Sequence, residues 1–447
     1  MEPKLEKKYG LFTAIAMVIG IVVGSGVFFK AEKILTATGG NLKLGILAWV
    51  IGGVIMISCA YTFSVMATKY QYVNGIVDYA EAAMGKTYSY YVGWFMAMIY
   101  YPTITSVLAW VSARYTCVIF GFPITGGECM TIACLYLISS FTINALSPVL
   151  AGKFQVSTTI IKLIPLFLMA IVGTFTGLRS GMTVYNFTHY VSQSNSNGLF
   201  TAVVAACFAY EGWIIATCIN AELENAKKNL PLALIAGTFV TMSAYILYYI
   251  GLAGTIENEV MMAGGESGAK LAFQTVFTSA GGSLLFVFVI ISCLGTLNGL
   301  MLGCTRGIYS LSARGLGPAP KVFVQVDPVT NMPVNSAILG LFLCGLWLFY
   351  FYGANLTSGW FGFFSFDSSE LPIITIYALY IPIFIMFMVK SREMNFFNRI
   401  FMPCLSLAGS IFMVVAAWFA HGMAAVAYLV IFSVIMILGA LTLRKAK

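Results

Sequence analysis

The sequence predicts an all-α polytopic membrane protein, and three observations carry that prediction. Of its 447 residues, 60% are hydrophobic and only 9% charged, and the mean hydropathy is +0.90; a soluble chain carries about 25% charged residues. Apolar stretches recur at the length of about 20 residues that a helix needs to cross a bilayer. Two of those stretches are interrupted at membrane depth, over Gly20–Gly26 and over Phe208–Trp213.

Taken in order, twelve candidate spans begin near Leu11, Leu44, Tyr91, Cys129, Phe154, Gly198, Leu230, Ser283, Asn335, Leu371, Phe397 and Gly422. The start, MEPKLEKKYG, is charged and carries acids, so it does not read as a cleaved signal, and the first span is expected to stay. Residues Lys69–Lys86 read as an amphipathic helix lying on the membrane surface. The longest polar connections are Arg179–Asn197, Ile256–Ala280 (with a short amphipathic piece over Ser267–Thr278) and Ser312–Val334. With no low-complexity tract or hydrophilic domain, a single transmembrane domain over 1–447 is expected.

The net charge of +8 is topological. With the amino terminus inside, most of the 24 basic residues fall on the cytoplasmic side, among them Lys4, Lys7, Lys8, Lys227, Lys228 and Lys390. Lys30, Lys33, Lys43, Arg114, Arg179 and Lys270 fall outside. Such asymmetry places both termini in the cytoplasm of a multi-pass cell-membrane protein. The partners it implies are membrane lipid and a small-molecule substrate, and no nucleic acid. Ten cysteines form no C-x-x-C pair and no zinc spacing, so neither a metal nor a cofactor is expected. Cys117 and Cys129 flank one short loop, which leaves a disulfide there open. The two histidines, His189 and His421, read as outer-loop residues. No acid pair or nucleophile–base set gathers at membrane depth, which argues against an enzyme. The repeated polar ring of a channel is missing too.

What the interruptions can do follows from backbone chemistry. Unwinding a helix frees N–H groups on one side and carbonyls on the other, and in lipid this survives only against protein or a polar cavity. At Gly24-Ser25-Gly26 the freed N–H groups begin a half-helix whose positive end suits a carboxylate. Carbonyls left around Val18, Ile19 and Gly20 suit a cation. In span six, freed carbonyls of Phe208, Ala209 and Tyr210 suit an ammonium group. Donors at one end and acceptors at the other fit a zwitterion, an α-amino acid. Spans one and six hold corresponding places if the chain is two inverted halves, and Gly-interrupted spans at such places point to a transporter's substrate site. Gly20 and Gly24, four apart, also fit a close helix crossing.

Lys162 is the other outlier. It lies nine residues beyond Lys153, hence about 13 Å deeper by helical rise. A cation at that depth needs carbonyls, an acid or a polar ligand, and reads as functional. Its ammonium is expected on the freed carbonyls of span one. Glu211 either pairs with a cation at the rim of the site or faces water. Tyr245 and Asn298 either line the site or join helices, and Phe208 either closes the site or packs.

These residues together resemble the L-type amino acid transporters of the amino acid–polyamine–organocation superfamily. Within them the chain looks most like bacterial serine/threonine and alanine–serine–cysteine exchangers. GLFTAIAMVIGIVVGSGVFF, TTIIKLIPL, FAYEGW with AELENAKKNLPLAL, and GTLNG carry the likeness, from the first span through the eighth. The resemblance implies a five-plus-five inverted repeat of the LeuT-like kind, with halves at about 11–178 and 198–389 and two extra helices over 397–443. It also implies sodium-independent exchange of small neutral amino acids by alternating access. It assigns Gly24, Ser25 and Gly26 to the substrate carboxylate, Phe208, Ala209 and the Glu211 backbone to the amino group, and Lys162 to coupling, with Tyr245 near the site. Animal members bind a heavy-chain glycoprotein through a cysteine in the loop after span three. Here that loop, GFPITGGE, has none, which argues against such a partner. The rival mechanism on the same fold is proton-coupled uptake, with a titrating Lys162 carrying the proton.

Overall fold

A computed structural model describes residues 10–24, 26–69, 75–189, 197–214, 223–330, 332–357 and 359–446. All regular elements among them are helical. Among the described residues, ten helices are long and apolar enough to cross a membrane. The first apolar stretch is instead split into α1 (Leu11–Val22) and α2 (Gly26–Ala37), and the sixth ends early, as α11 (Gly198–Ala209).

Between these run α3 (Leu42–Lys69), α4 (Ile76–Met84), α5 (Lys86–Phe95), α6 (Tyr101–Phe120), α7 (Gly127–Leu146), α8 (Pro148–Leu168), α9 (Thr174–Ser180) and α10 (Met182–Thr188). Single π turns join α5 to α6 over Met96–Tyr100 and α8 to α9 over Met169–Gly173, so each pair forms one rod. After α11 come α12 (Ala226–Ala253), α13 (Asn258–Gly264), α14 (Glu266–Ser312), α15 (Pro320–Phe323), α16 (Val334–Phe351), α17 (Leu371–Lys390), α18 (Met402–His421) and α19 (Met423–Ala446). Side chains on the outer surface are apolar, with Phe12, Ile160, Phe175, Phe342 and Ile437 exposed. That is the arrangement a hydrocarbon solvent favours, since it has no polar groups to solvate.

The broken spans lie inside. α12 packs along α3 and α1, α2 packs on α11, and α8 and α6 both lie against α14. Two sequence expectations change, over Lys69–Lys86 and at His421. Lys69–Lys86 is not one surface helix: α3 runs on to Lys69, residues 70–74 lie outside the description, and α4 buries Ile76, Val77, Asp78, Tyr79 and Ala80. Asp78 is held by Arg314, and Lys390 donates to the Ala83 carbonyl at 2.7 Å, so α4 is clamped from the turn after α14 and from the end of α17. The short piece expected over Ser267–Thr278 is helical from Glu266 and is set off from its span at Phe277 and Thr278, where the backbone leaves helical geometry. The pairing left open between Cys117 and Cys129 is not formed, and both are free, buried thiols. His421 is no loop residue; it ends α18, facing Glu370.

Candidate functional site

The first break is best read by following its carbonyls, since buried backbone acceptors must find donors. Val23 bends to ψ 95°, out of the helix, while its N–H still closes on the Ile19 carbonyl at 2.7 Å. The next carbonyls find side chains on three other helices. Gly20 accepts from the Lys162 ammonium on α8. Val22 accepts from the Tyr245 hydroxyl on α12 at 3.0 Å, and Gly24 from the Ser292 hydroxyl on α14 at 3.3 Å. Lys162 and Tyr245 are fully buried. Each neutral hydrogen bond of this kind contributes about 1 kcal/mol, and one from a charged donor about twice that. Ile19, expected to offer its carbonyl to the cavity, is closed by its own helix. Val18 is likewise buried. Ser25 lies outside the described residues.

α11 ends at Ala209. Tyr210 still donates its N–H to Ala206 at 3.0 Å, and Glu211 donates its N–H to the Phe208 carbonyl at 3.2 Å. Gly212 then takes φ +111°, a backbone that only glycine adopts freely, so the chain turns out of the span there. Residues 215–222, where the rest of span six is expected, lie outside the description.

The two breaks meet. A side-chain carbon added at Gly26 would collide with the Ala209 backbone, lying 3.0 Å from its carbonyl oxygen. Glycine at 26 therefore allows the start of α2 to rest directly on the end of α11, a contact no larger residue permits. Around the junction Tyr210 stacks on Tyr245 with ring centres 5.2 Å apart, and Trp49 closes edge-on over both. Tyr210 also donates its hydroxyl to the Trp49 carbonyl at 3.1 Å, tying α11 to α3.

Not every candidate gathers here. Asn298 accepts from Asn144 at 2.9 Å and donates to the Ala151 carbonyl at 3.2 Å, joining α14 to α7 and α8. Glu211 turns away from the rim and accepts from the Tyr100 hydroxyl at the π turn before α6. Phe208 is buried, with the Lys30 ammonium 4.3 Å from its ring centre. Sequence reasoning missed Lys30, Tyr100, Trp49 and Ser292. Ser292 had a legible signal, an intramembrane hydroxyl four residues from Thr296 on the span that carries GTLNG. The others depend on partners remote in sequence.

Comparison with known proteins gives the family. The family described as amino acid permease matches residues 9–441. The serine/threonine exchanger SteT of Bacillus subtilis (strain 168) is 28% identical over 415 residues, covering 91% of this chain and 90% of that protein. The b(0,+)-type amino acid transporter 1 of Homo sapiens is 26% identical over 380 residues, or 78% of this chain and 75% of its own length. The Asc-type amino acid transporter 1 of Mus musculus is 25% identical over 353 residues, 75% of this chain and 64% of its own length. Transport rather than catalysis is the activity these relatives share.

Proposed function

Because this chain belongs to the amino acid permease family, we propose that it exchanges small neutral amino acids, such as alanine, serine, threonine and cysteine, across the cell membrane by alternating access without sodium. The observation that carries the reading is the Lys162 ammonium on the Gly20 carbonyl, at the end of the broken first span. A fixed cation there does for the unwound carbonyls what a bound metal ion would otherwise do. The N–H groups opening α2 take the substrate carboxylate, with Gly24, Ser25 and Gly26 around it. Phe208, Ala209 and Glu211 offer backbone groups to its ammonium.

Around that site we place twelve spans as two inverted five-helix halves, 11–178 and 198–389, with two further helices over 397–443 and both termini in the cytoplasm. The SteT relative is named a serine/threonine exchanger, which supports both the small substrates and the exchange. We propose that the chain acts without a heavy-chain partner, since GFPITGGE offers no cysteine. Proton-coupled uptake is the second reading. It rests on Lys162, whose amine touches the broken first span, serving as the proton carrier. One assay separates them. In proteoliposomes, exchange requires labelled serine to enter only when unlabelled amino acid is inside; accumulation into empty vesicles under an imposed proton gradient would establish symport instead.

A further inference from the structure

Lys30 lies one turn into α2 from Gly26 and is fully buried. Its ammonium donates to Glu370 Oε1 at 2.7 Å and to Ser369 Oγ at 3.5 Å, while resting over the Phe208 ring. Three residues on, Lys33 donates to the same Glu370 oxygen at 2.7 Å and to Asp367 Oδ2 at 3.3 Å. Asp367 shapes the head of α17: its Oδ1 accepts from the Ser369 N–H at 2.7 Å and from the Ser369 hydroxyl at 2.5 Å. The other Glu370 oxygen faces His421 Nε2 at 3.2 Å. One carboxylate, 1% exposed, thus joins α2, the head of α17 and the end of α18, directly above the phenylalanine next to the end of α11.

Stability alone is a weak reason to bury such a pair, because apolar residues of similar volume commonly do as well or better. Its place offers a better one. α2 and α11 carry the peptide groups that take the two ends of the substrate, and the pair ties α2 to α17 across Phe208. It does so on the side of the site away from the amino terminus. Glu370 also faces His421 on α18, which does not move with α2, and this lowers the cost of parting the buried ion pair.

Resting on the transport reading above, we propose that Lys30 and Glu370 are positioning residues that latch this mouth of the substrate path. Joined, they hold α2 and Phe208 down over the site. Parted, they free α2, and Lys33 with it, to swing aside while His421 on α18 stays beside Glu370.

The test uses the full chain in lipid nanodiscs and proteoliposomes, comparing wild type with Glu370→Gln and Lys30→Met, and with Lys30→Arg as the charge-keeping control. Hydrogen–deuterium exchange is expected to rise about tenfold in Gly26–Ala37 and Gly198–Ala209 of Glu370→Gln and Lys30→Met, since removing one partner of a buried pair opens what it held. Protection of α3 and α12 should stay at wild type, and Lys30→Arg, which keeps the cation, should leave α2 and α11 protected as in wild type. For labelled serine, external KM and kcat should both fall, about threefold or more, as the open-mouthed form gains population. Unchanged exchange in α2, or an equal rise in every helix, would overturn the latch and leave a structural strut. Should wild type carry no serine while the localised pattern holds, the substrate reading fails and the latch stands. If Glu370→Gln does not fold, Asp367→Asn at the part-exposed rim must give the same localised rise in lesser degree; wild-type protection there also overturns the proposal.

Discussion

Lys162 and Lys153 share a helix and a charge but not a fate. Lys153 is exposed where α8 begins, and Ile160, two residues before Lys162, points outward with 66% of its surface free. Lys162 itself is wholly enclosed and bonded to Gly20. Lys162→Ala is therefore expected to give folded protein whose serine exchange falls at least about tenfold, the value of a lost charged hydrogen bond. Lys153→Ala should exchange as wild type does, and equal rates for the two in proteoliposomes would remove Lys162 from the mechanism. Depth made Lys162 legible, because counting along one helix sufficed to place it in the bilayer. Lys30 escaped the same count. Near the end of the apolar run it looks like one more boundary charge, and its partner Glu370 stands 340 residues away. No local pattern encodes a contact of that span.

At the scale of elements, the interruptions were legible because glycine and an acid are costly in mid-span, and the break in α1 and the early end of α11 fall within those stretches. Boundaries inside polar stretches were not. Lys69–Lys86 has the alternation of a surface helix, yet the apolar face of α4 within it is covered by protein, with Arg314 and Lys390 holding α4 from two sides. Amphipathicity records only that one face is apolar; lipid and protein satisfy it equally. The junction of the two broken elements makes its own prediction. Gly26→Ala adds a single methyl group where the Ala209 backbone already lies, and overpacking of that kind costs about 1–3 kcal/mol. Thermal unfolding of the variant in detergent should begin several degrees below wild type, with exchange activity reduced by more than the loss of folded protein. A variant matching wild type in both would mean that α2 does not close on α11.

For the molecule as a whole, the pairing of helices follows from which faces must hide. α8 turns Lys162 inward and Ile160 outward, and α14 receives α8 on one side and α6 on another. Hydropathy alone recovers the number of apolar stretches but says nothing about which of them lies innermost. That information sits in the few polar side chains, Lys162, Tyr245 and Ser292, whose partners are backbone carbonyls of a single broken helix.

The bond between Lys162 and Gly20 has an electrical corollary. An ammonium that never leaves its carbonyl stays with the scaffold, so a dipolar cargo crossing in either direction moves no net charge through the field of the bilayer. Transmembrane voltage, worth about 2.3 kcal/mol per elementary charge at 100 mV, would then do no work on the cycle. Setting the potential with valinomycin and a potassium gradient should leave the rate of serine-for-serine swapping unaltered, and a steep response would mean that the lysine's proton, or some other ion, travels too.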